Sequence, residues 1–376
     1  MKKKPLAGLL KKPLADLFIL PLIALLAACL VSAPVSADVV QKLYDAALPL
    51  ESGRAELSQV QIREGLRQVF VRVSGESELD VEPGIAEALA DPKPFLSQYN
   101  FRRQRDELGQ ERVILDMSFS PRQVNGTLQS AGLPVWSSNR PAVLVWMVID
   151  TAQGRQFLNA ENSDMALQAL REEAYRRGLA LQFPLLDLED RGALSVDALW
   201  SMSVNQVRTA SERYRAPYVL MGKATALSSG SWLASWAVLE AEQSQRLDTQ
   251  GMGINQVLAP VIDFIADSQA DQYALTGTGQ DAQANLIAVK GVADFATYAE
   301  ILTYLEGLAV VEHANLVWAD GEDMVLELVL KDSLDKAQRF LSLDGRMQPL
   351  LGVTSGVDVK SGLMLQARYR WRGQGR

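Results

Sequence analysis

Eight consecutive apolar residues, Ala142 to Ile149, constrain this chain more than any other feature. A strand with one wet face shows every second side chain to water, so an unbroken apolar run belongs to a strand covered on both faces. Such a strand needs a layer above and a layer below it, which is an α/β arrangement. The flanking sequence agrees. Residues 164–177 carry a helical apolar side (Met165, Leu167, Ala169, Leu170, Ala174) with Gly178 as its cap. A short strand is expected over 179–183, a second helix over 196–214, a hairpin from 218–226 to 232–240 around Ser228-Ser229-Gly230, and a closing helix over 253–267.

The stretch before this unit reads as a βαβ-type unit. A strand is expected over 39–50, and a helix over 54–73 keeps Ile62, Leu66, Val69, Phe70 and Val73 at helical spacing until Gly75 stops it. Short helices broken by Pro83, Pro92 and Pro94 follow over 82–96, then a half-buried strand over 112–120 with Val113, Leu115, Met117 and Phe119 on one side. Pro121 opens a helix ending near Gly132. After the central unit, the polar residues 270–284 read as a linker. The remainder reads strand (286–291), helix (294–308), hairpin (310–318 and 324–330, turning at Asp320-Gly321), helix (333–343) and strand (363–371). That order is βαββαβ, the ferredoxin-like unit. The expected fold class is therefore mixed α/β and α+β. The expected divisions are a signal peptide at 1–37, an N-terminal α/β domain at 38–134, a central α/β domain at 135–269, a linker at 270–284 and a ferredoxin-like domain at 285–376.

The N-terminus reads as an address. Lys2, Lys3, Lys4, Lys11 and Lys12 precede the apolar run Leu17 to Val31, whose 15 residues fall short of the ~20 that cross a bilayer. Small residues at Val35-Ser36-Ala37 place a cleavage between Ala37 and Asp38, so the chain is expected to be exported to the periplasm. The alternatives are lipidation at Cys29, within Leu26-Ala27-Ala28-Cys29, and an uncleaved anchor. Membrane contact is expected only for those two forms. Cys29 is the sole cysteine, so cleavage leaves no thiol, no disulfide framework and no thiolate metal site. The formal charge of −8 falls to about −12 without the leader, which disfavours nucleic acid as a partner.

The motifs that could carry chemistry are few. His313, the single histidine, sits in an expected strand with no nucleophile turn anywhere in the chain, and reads as an ordinary sheet residue. Asp187, Glu189 and Asp190 concentrate carboxylates after a strand but lack the intervals of a calcium loop, and read as a solvated loop. Gly277-Thr278-Gly279 lacks the lysine and third glycine of a phosphate-binding loop. Arg102, Arg103 and Arg105 form a basic cluster, and Arg368, Arg370 and Arg372 share one face of the last strand opposite Ala367, Tyr369 and Trp371. Trp232 and Trp236 fall on one face of a strand and become a binding surface only if both are exposed.

The stretches from Arg63 through Arg72-Val73-Ser74-Gly75, Gly132-Leu133-Pro134-Val135-Trp136, Arg140-Pro141, Val143 to Trp146, Arg176-Arg177-Gly178-Leu179 and Ala210 to Tyr214 resemble an uncharacterised bacterial envelope family, domain of unknown function 2066. The resemblance implies an exported protein of proteobacterial type, with no agreed activity and no catalytic residues to carry over. Physically, Pro134 and Pro141 bracket a crossing between units, with Trp136 placed to plug the joint.

The leading expectation is a non-enzymatic periplasmic accessory or assembly protein that works through contacts with an envelope protein and needs no cofactor. One alternative is a binding module for a small molecule or cell-wall fragment, using Trp232, Trp236 and the region of Asp187. The other is a carboxylate-based, metal-assisted hydrolase centred on Asp187, Glu189 and Asp190.

Overall fold

The fold is that of a computed structural model, which describes residues 42–50, 56–79, 82–105, 111–152, 154–159, 165–241, 243–276, 285–350 and 355–373. The leader, with its cleavage site after Ala37 and Cys29, and the Gly277-Thr278-Gly279 stretch lie outside the described residues.

Three strands open the molecule: β1 (Asp45–Leu50), β2 (Leu96–Arg105) and β3 (Glu111–Phe119). They form an antiparallel sheet in the order β1-β3-β2. Over it packs the Gln59–Ser74 helix, which starts at a capping box between Ser58 and Gln61 and buries Ile62, Leu66, Val69, Phe70 and Val73. The Pro83–Ala90 and Pro121–Ser130 helices complete a self-contained core. Two details differ from expectation. The first strand begins at Asp45 rather than 39, and β2 is an additional strand, in which Arg102 of the basic cluster pairs with Asp116 across the sheet at 2.7 Å.

The apolar run becomes β4 (Ala142–Thr151). Beside it lie β5 (Gly154–Phe157), β6 (Ala180–Gln182), β7 (Tyr218–Ala226), β8 (Trp232–Glu240) and β9 (Gln243–Gly251), in the order β5-β4-β7-β8-β9 with β6 parallel to β4. Every residue from Val143 to Ile149 is buried. Val143, Val145, Met147 and Ile149 join one core with the Met165–Arg177 and Ile254–Tyr273 helices, while Leu144, Trp146 and Val148 join another beneath short helices. Each such side chain contributes about 1.5–3 kcal/mol on burial, which is why this run cannot tolerate a wet face.

Those short helices correct the sequence reading. Instead of one helix over 196–214 there are Val196–Trp200 and Val204–Ser211, separated where Met202 takes a positive φ of 58°, followed by a 3-10 turn. The expected solvated loop at 186–192 is the Leu188–Ala193 helix. The closing helix runs on to Tyr273, so the first residues of the expected linker are its last turn. Leu275 then bridges back to Val135, and Thr276 donates to Asp332 at 2.9 Å.

The last unit comprises β10 (Asn285–Lys290), β11 (Val311–Asp320), β12 (Asp323–Leu330), β13 (Met347–Pro349), β14 (Gly356–Val357), β15 (Met364–Leu365) and β16 (Ala367–Trp371). Its sheet order is β11-β12-β10-β16-β13. Strands β10, β11 and β12 follow the expected ferredoxin-like arrangement, but β16 runs parallel to β10 where that unit has an antiparallel last strand, and β13 pairs antiparallel at its outer edge. The Phe295–Glu306 and Leu334–Ser342 helices cover one face, and their core is continuous with that of the central unit. The small β14–β15 hairpin is tied down by Asp358, which accepts from Arg368 at 2.6 Å.

Three fully buried arginines join the first unit to the second. Arg140 stacks on Trp136 at 3.7 Å and spends its donors on main-chain carbonyls: Ser137, Arg177, Gly178, Arg72 and Trp136, at 2.8–3.2 Å. Arg72 stacks on Tyr175 at 4.0 Å and donates to the carbonyls of Tyr175, Leu43 and Asp45. Arg177 reaches the Gly75 carbonyl at 2.6 Å and pairs with Asp263 and Asp267. Burial pushes the Arg140 guanidinium well below its usual range, with Arg72 and Arg177 pushing the same way. Charge-assisted bonds to the carbonyls offset that desolvation. Gly178, at φ 71°, is required here: a Cβ would run into Arg140 Nη1 and Arg72 Cγ.

Candidate functional site

The central sheet is covered unevenly. On the face beneath the short helices, cover ends at Trp200, and the sheet beyond it is open. In-register positions of three strands form the floor there. Lys223 lies opposite Ser235 and Ser235 opposite Asp248; Thr225 lies opposite Leu233 and Leu233 opposite Gln250. With Trp200 as a wall these residues line a cleft of about 440 Å³.

Charge is ordered around the tryptophan. Arg155 lies over the Trp200 ring at 4.0 Å and is held by Asp150 at 3.2 Å. Lys223 Nζ lies 5.3 Å from the same ring and donates to the Trp200 carbonyl at 3.1 Å. Cations over an indole attract its π-face and fix its plane. Asp248 and Gln250 are exposed on the outer strand, and Leu233 is 46% exposed between them and Thr225. The cleft thus offers an ammonium, a carboxylate, a carboxamide and an apolar side chain on a rigid floor. Lys223 donates to the Trp200 carbonyl, so its ammonium is held against the wall of the cleft.

The structure disperses the residues singled out in the sequence. Trp232 and Trp236 do share a face, but it is the face opposite the cleft. Trp236 is fully buried, lies against Gly222, and donates its indole N–H to Thr249 Oγ1 at 2.8 Å. Trp232 is half-buried against the same core. They are packing residues rather than a ligand cage.

Asp187, Glu189 and Asp190 belong to a helix start. Asp187 caps the Leu188–Ala193 helix by accepting from the Asp190 N–H at 3.0 Å. The buried Asp190 carboxylate accepts from the Tyr214 hydroxyl at 2.6 Å and the Leu186 N–H at 2.8 Å. Arg213 pairs with Asp187 at 2.9 Å, Asp190 at 3.1 Å and Glu189, which is 71% exposed, at 3.5 Å. Hydrogen bonding from Arg213 holds the Asp187 carboxyl below its usual range, and burial followed by the bond to Asp190 pushes Tyr214 up to about 12. The carboxylates are therefore occupied in holding a helix and a guanidinium. Among the described residues no group of three His, Cys, Asp or Glu side chains converges to hold a metal.

His313 is 67% exposed, with Nδ1 3.9 Å from Glu306. The arginines of the last strand behave as their spacing implied: Ala367, Tyr369 and Trp371 are buried, and Arg368 pairs with Asp358 on the other face. No described helix is long and apolar enough to cross a membrane.

Comparison with known proteins adds one match of family. Residues 37–137, a little over a quarter of the chain, match the family described as Domain of unknown function (DUF8605). This corrects the resemblance to domain of unknown function 2066, which is a different family. Several residues that carried that resemblance (Arg72, Gly75, Trp136, Arg140, Arg177) lie in the joint between the first and second units. The matched stretch coincides with the N-terminal unit and stops at the joint. No curated protein matches the chain. Among solved structures, a formyltetrahydrofolate deformylase from Pseudomonas putida KT2440 is 11% identical over 52% of this chain and 89% of its own. Its TM-score of 0.18 carries no argument about fold or activity.

Proposed function

We propose that this chain is an exported, non-enzymatic accessory or assembly protein of the bacterial envelope, acting through protein contacts on the open face of its central sheet. The observation that carries this reading is the cleft beyond Trp200, where exposed Leu233 is ringed by Lys223, Asp248 and Gln250 on a floor of three paired strands. An apolar centre with a polar rim on a rigid support is the anatomy of a protein-binding patch. The leader-like N-terminus and the acidic, thiol-free body support the periplasmic address.

The test is a photo-crosslinking residue at position 233 in growing cells, with one at Val60 as control. Val60 is 68% exposed and lies on the N-terminal unit. Position 233 should capture a defined envelope protein, and adding Lys223→Glu should abolish the capture. The same mixture of proteins at both positions would refute the proposal.

A second reading, a binding module for a small molecule or cell-wall fragment, is favoured by the concavity itself, whose 440 Å³ lies within the range of ligand sites. Under that reading Trp200 is the reporter. Titration with soluble wall fragments should change the tryptophan fluorescence of the wild type and not that of Trp200→Phe.

A further inference from the structure

We infer that β9 is a self-pairing edge, through which two copies of this chain join their central sheets about a twofold axis. This does not depend on what the cleft binds.

The outer edge of a sheet is a template for another strand unless it is guarded. Other described edges carry guards. β1 contains Pro49, β13 has three residues including Pro349, and β5 has four. β2 has a register shift at Leu96/Gln98 and exposed arginines. β11 has two register shifts, and Glu306 takes up its Ala314 N–H at 3.4 Å. β9 also exposes charge, but as one arginine and one aspartate, Arg246 and Asp248. Its nine residues pair with β8 without a shift, and it contains no proline and no lysine.

Backbone parity fixes which groups the edge offers. The Leu227 N–H donates to the Ser231 carbonyl at 2.8 Å, so odd-numbered residues of β8 direct their backbone groups to β7 and even-numbered ones to β9. The partners of those even residues on β9 are odd, as in Trp236 with Leu247. Ser244, Arg246, Asp248 and Gln250 therefore direct their N–H and C=O groups outward, away from β8. All four are exposed, and neither Arg246 nor Asp248 has an ion-pair partner among the described residues.

Two copies of such a strand can pair antiparallel in several registers. Centring the axis on Leu247 uses the whole strand and sets outward-facing residues opposite outward-facing residues. It places Arg246 opposite Asp248 of the second copy twice, Ser244 opposite Gln250 twice, and Leu247 against its own copy. Shifting the axis to residue 246 puts arginine opposite arginine, and shifting it to 248 puts aspartate opposite aspartate. Opposite charges directly across a ladder stabilise and like charges destabilise, so the strand's own sequence selects the central register. The contact is isologous and closed, which stops at two copies rather than growing a fibre. Asp248 and Gln250 also line the cleft, so Arg246 of the second copy would join its rim and the two clefts would meet across the axis.

The test is the mass of the leaderless chain in solution, by sedimentation equilibrium over the micromolar range at low salt. The wild type should reach twice the mass of one chain. Arg246→Asp and Asp248→Arg should each weaken association about tenfold or more, with unchanged circular dichroism because both sites are exposed. The decisive arm mixes the two variants, since their charges complement across both halves of the ladder: the mixture should dimerise where each alone does not. A wild type that stays at one chain's mass, single variants that dimerise as well as the wild type, or a mixture that fails to associate would each overturn the inference.

Discussion

Arg140 shows how a charge can be buried without a carboxylate. Its five carbonyl partners come from both sides of the joint, so one side chain reads the positions of Arg72, Trp136, Arg177 and Gly178 at once. Arg140→Lys keeps the charge but not the planar fork, and leaves carbonyls unpartnered in a dry site. We expect a loss of about 3 kcal/mol in urea unfolding, against less than about 0.5 kcal/mol for Arg102→Ala, whose ion pair with Asp116 is solvent-exposed. Asp358 supplies a pH-dependent counterpart. The Ser361 N–H and the Arg368 guanidinium hold its carboxyl at about 2. That lies below the unfolded value of about 3.9, so its stabilisation is complete at neutral pH and fades as pH falls from about 4 towards 2. The stability gap between wild type and Asp358→Asn should shrink over that window; a gap that stays constant would show that the carboxylate's charge is not what holds the hairpin.

At the scale of elements, legibility followed the water. Strand β4 announced itself because both its faces are buried, and β7 and β8 because their apolar stretches flank the Ser228-Ser229-Gly230 turn. β9 did not: its sequence Gln243–Gly251 is polar, since one face is open and the other only half covered, and no apolar alternation survives in it. β2 escaped for the same reason, read as a basic cluster rather than as a paired strand. The candidate site was hidden twice over. Its floor takes two residues from each of three strands, so no spacing along the chain links Lys223, Ser235 and Asp248. Its wall, Trp200, ends a helix that the periodicity extended through Met202. Only register brings them together. Conversely, Trp232 and Trp236 were assigned correctly to one face, but the sequence cannot tell a core face from a wet one when both carry apolar residues. Packing there is close enough to test: a methyl on Gly222 would run into the Trp236 ring. Gly222→Ala should cost about 1–3 kcal/mol, whereas Gly230→Ala, which meets no neighbour, should be limited to the strain of its positive φ.

The whole molecule is one frame on which the central sheet presents its cleft. The central and C-terminal units share a core, and the N-terminal unit, with a core of its own, is fastened through the buried arginines rather than through an apolar seam. This division of labour explains how the unit matched by family can be separate in its core yet fixed in its orientation. Each clip across the joint joins a side chain to main chain, so the joint specifies an angle between the two units as well as an affinity. The most direct test is hydrogen exchange of the leaderless chain, wild type against Arg140→Lys. If the joint couples the units, the variant should lose protection together on both sides of it, in the Gln59–Ser74 helix and the Met165–Arg177 helix, while the C-terminal sheet keeps its protection. Loss confined to the residues that touch Arg140, with both helices unchanged, would contradict the coupling.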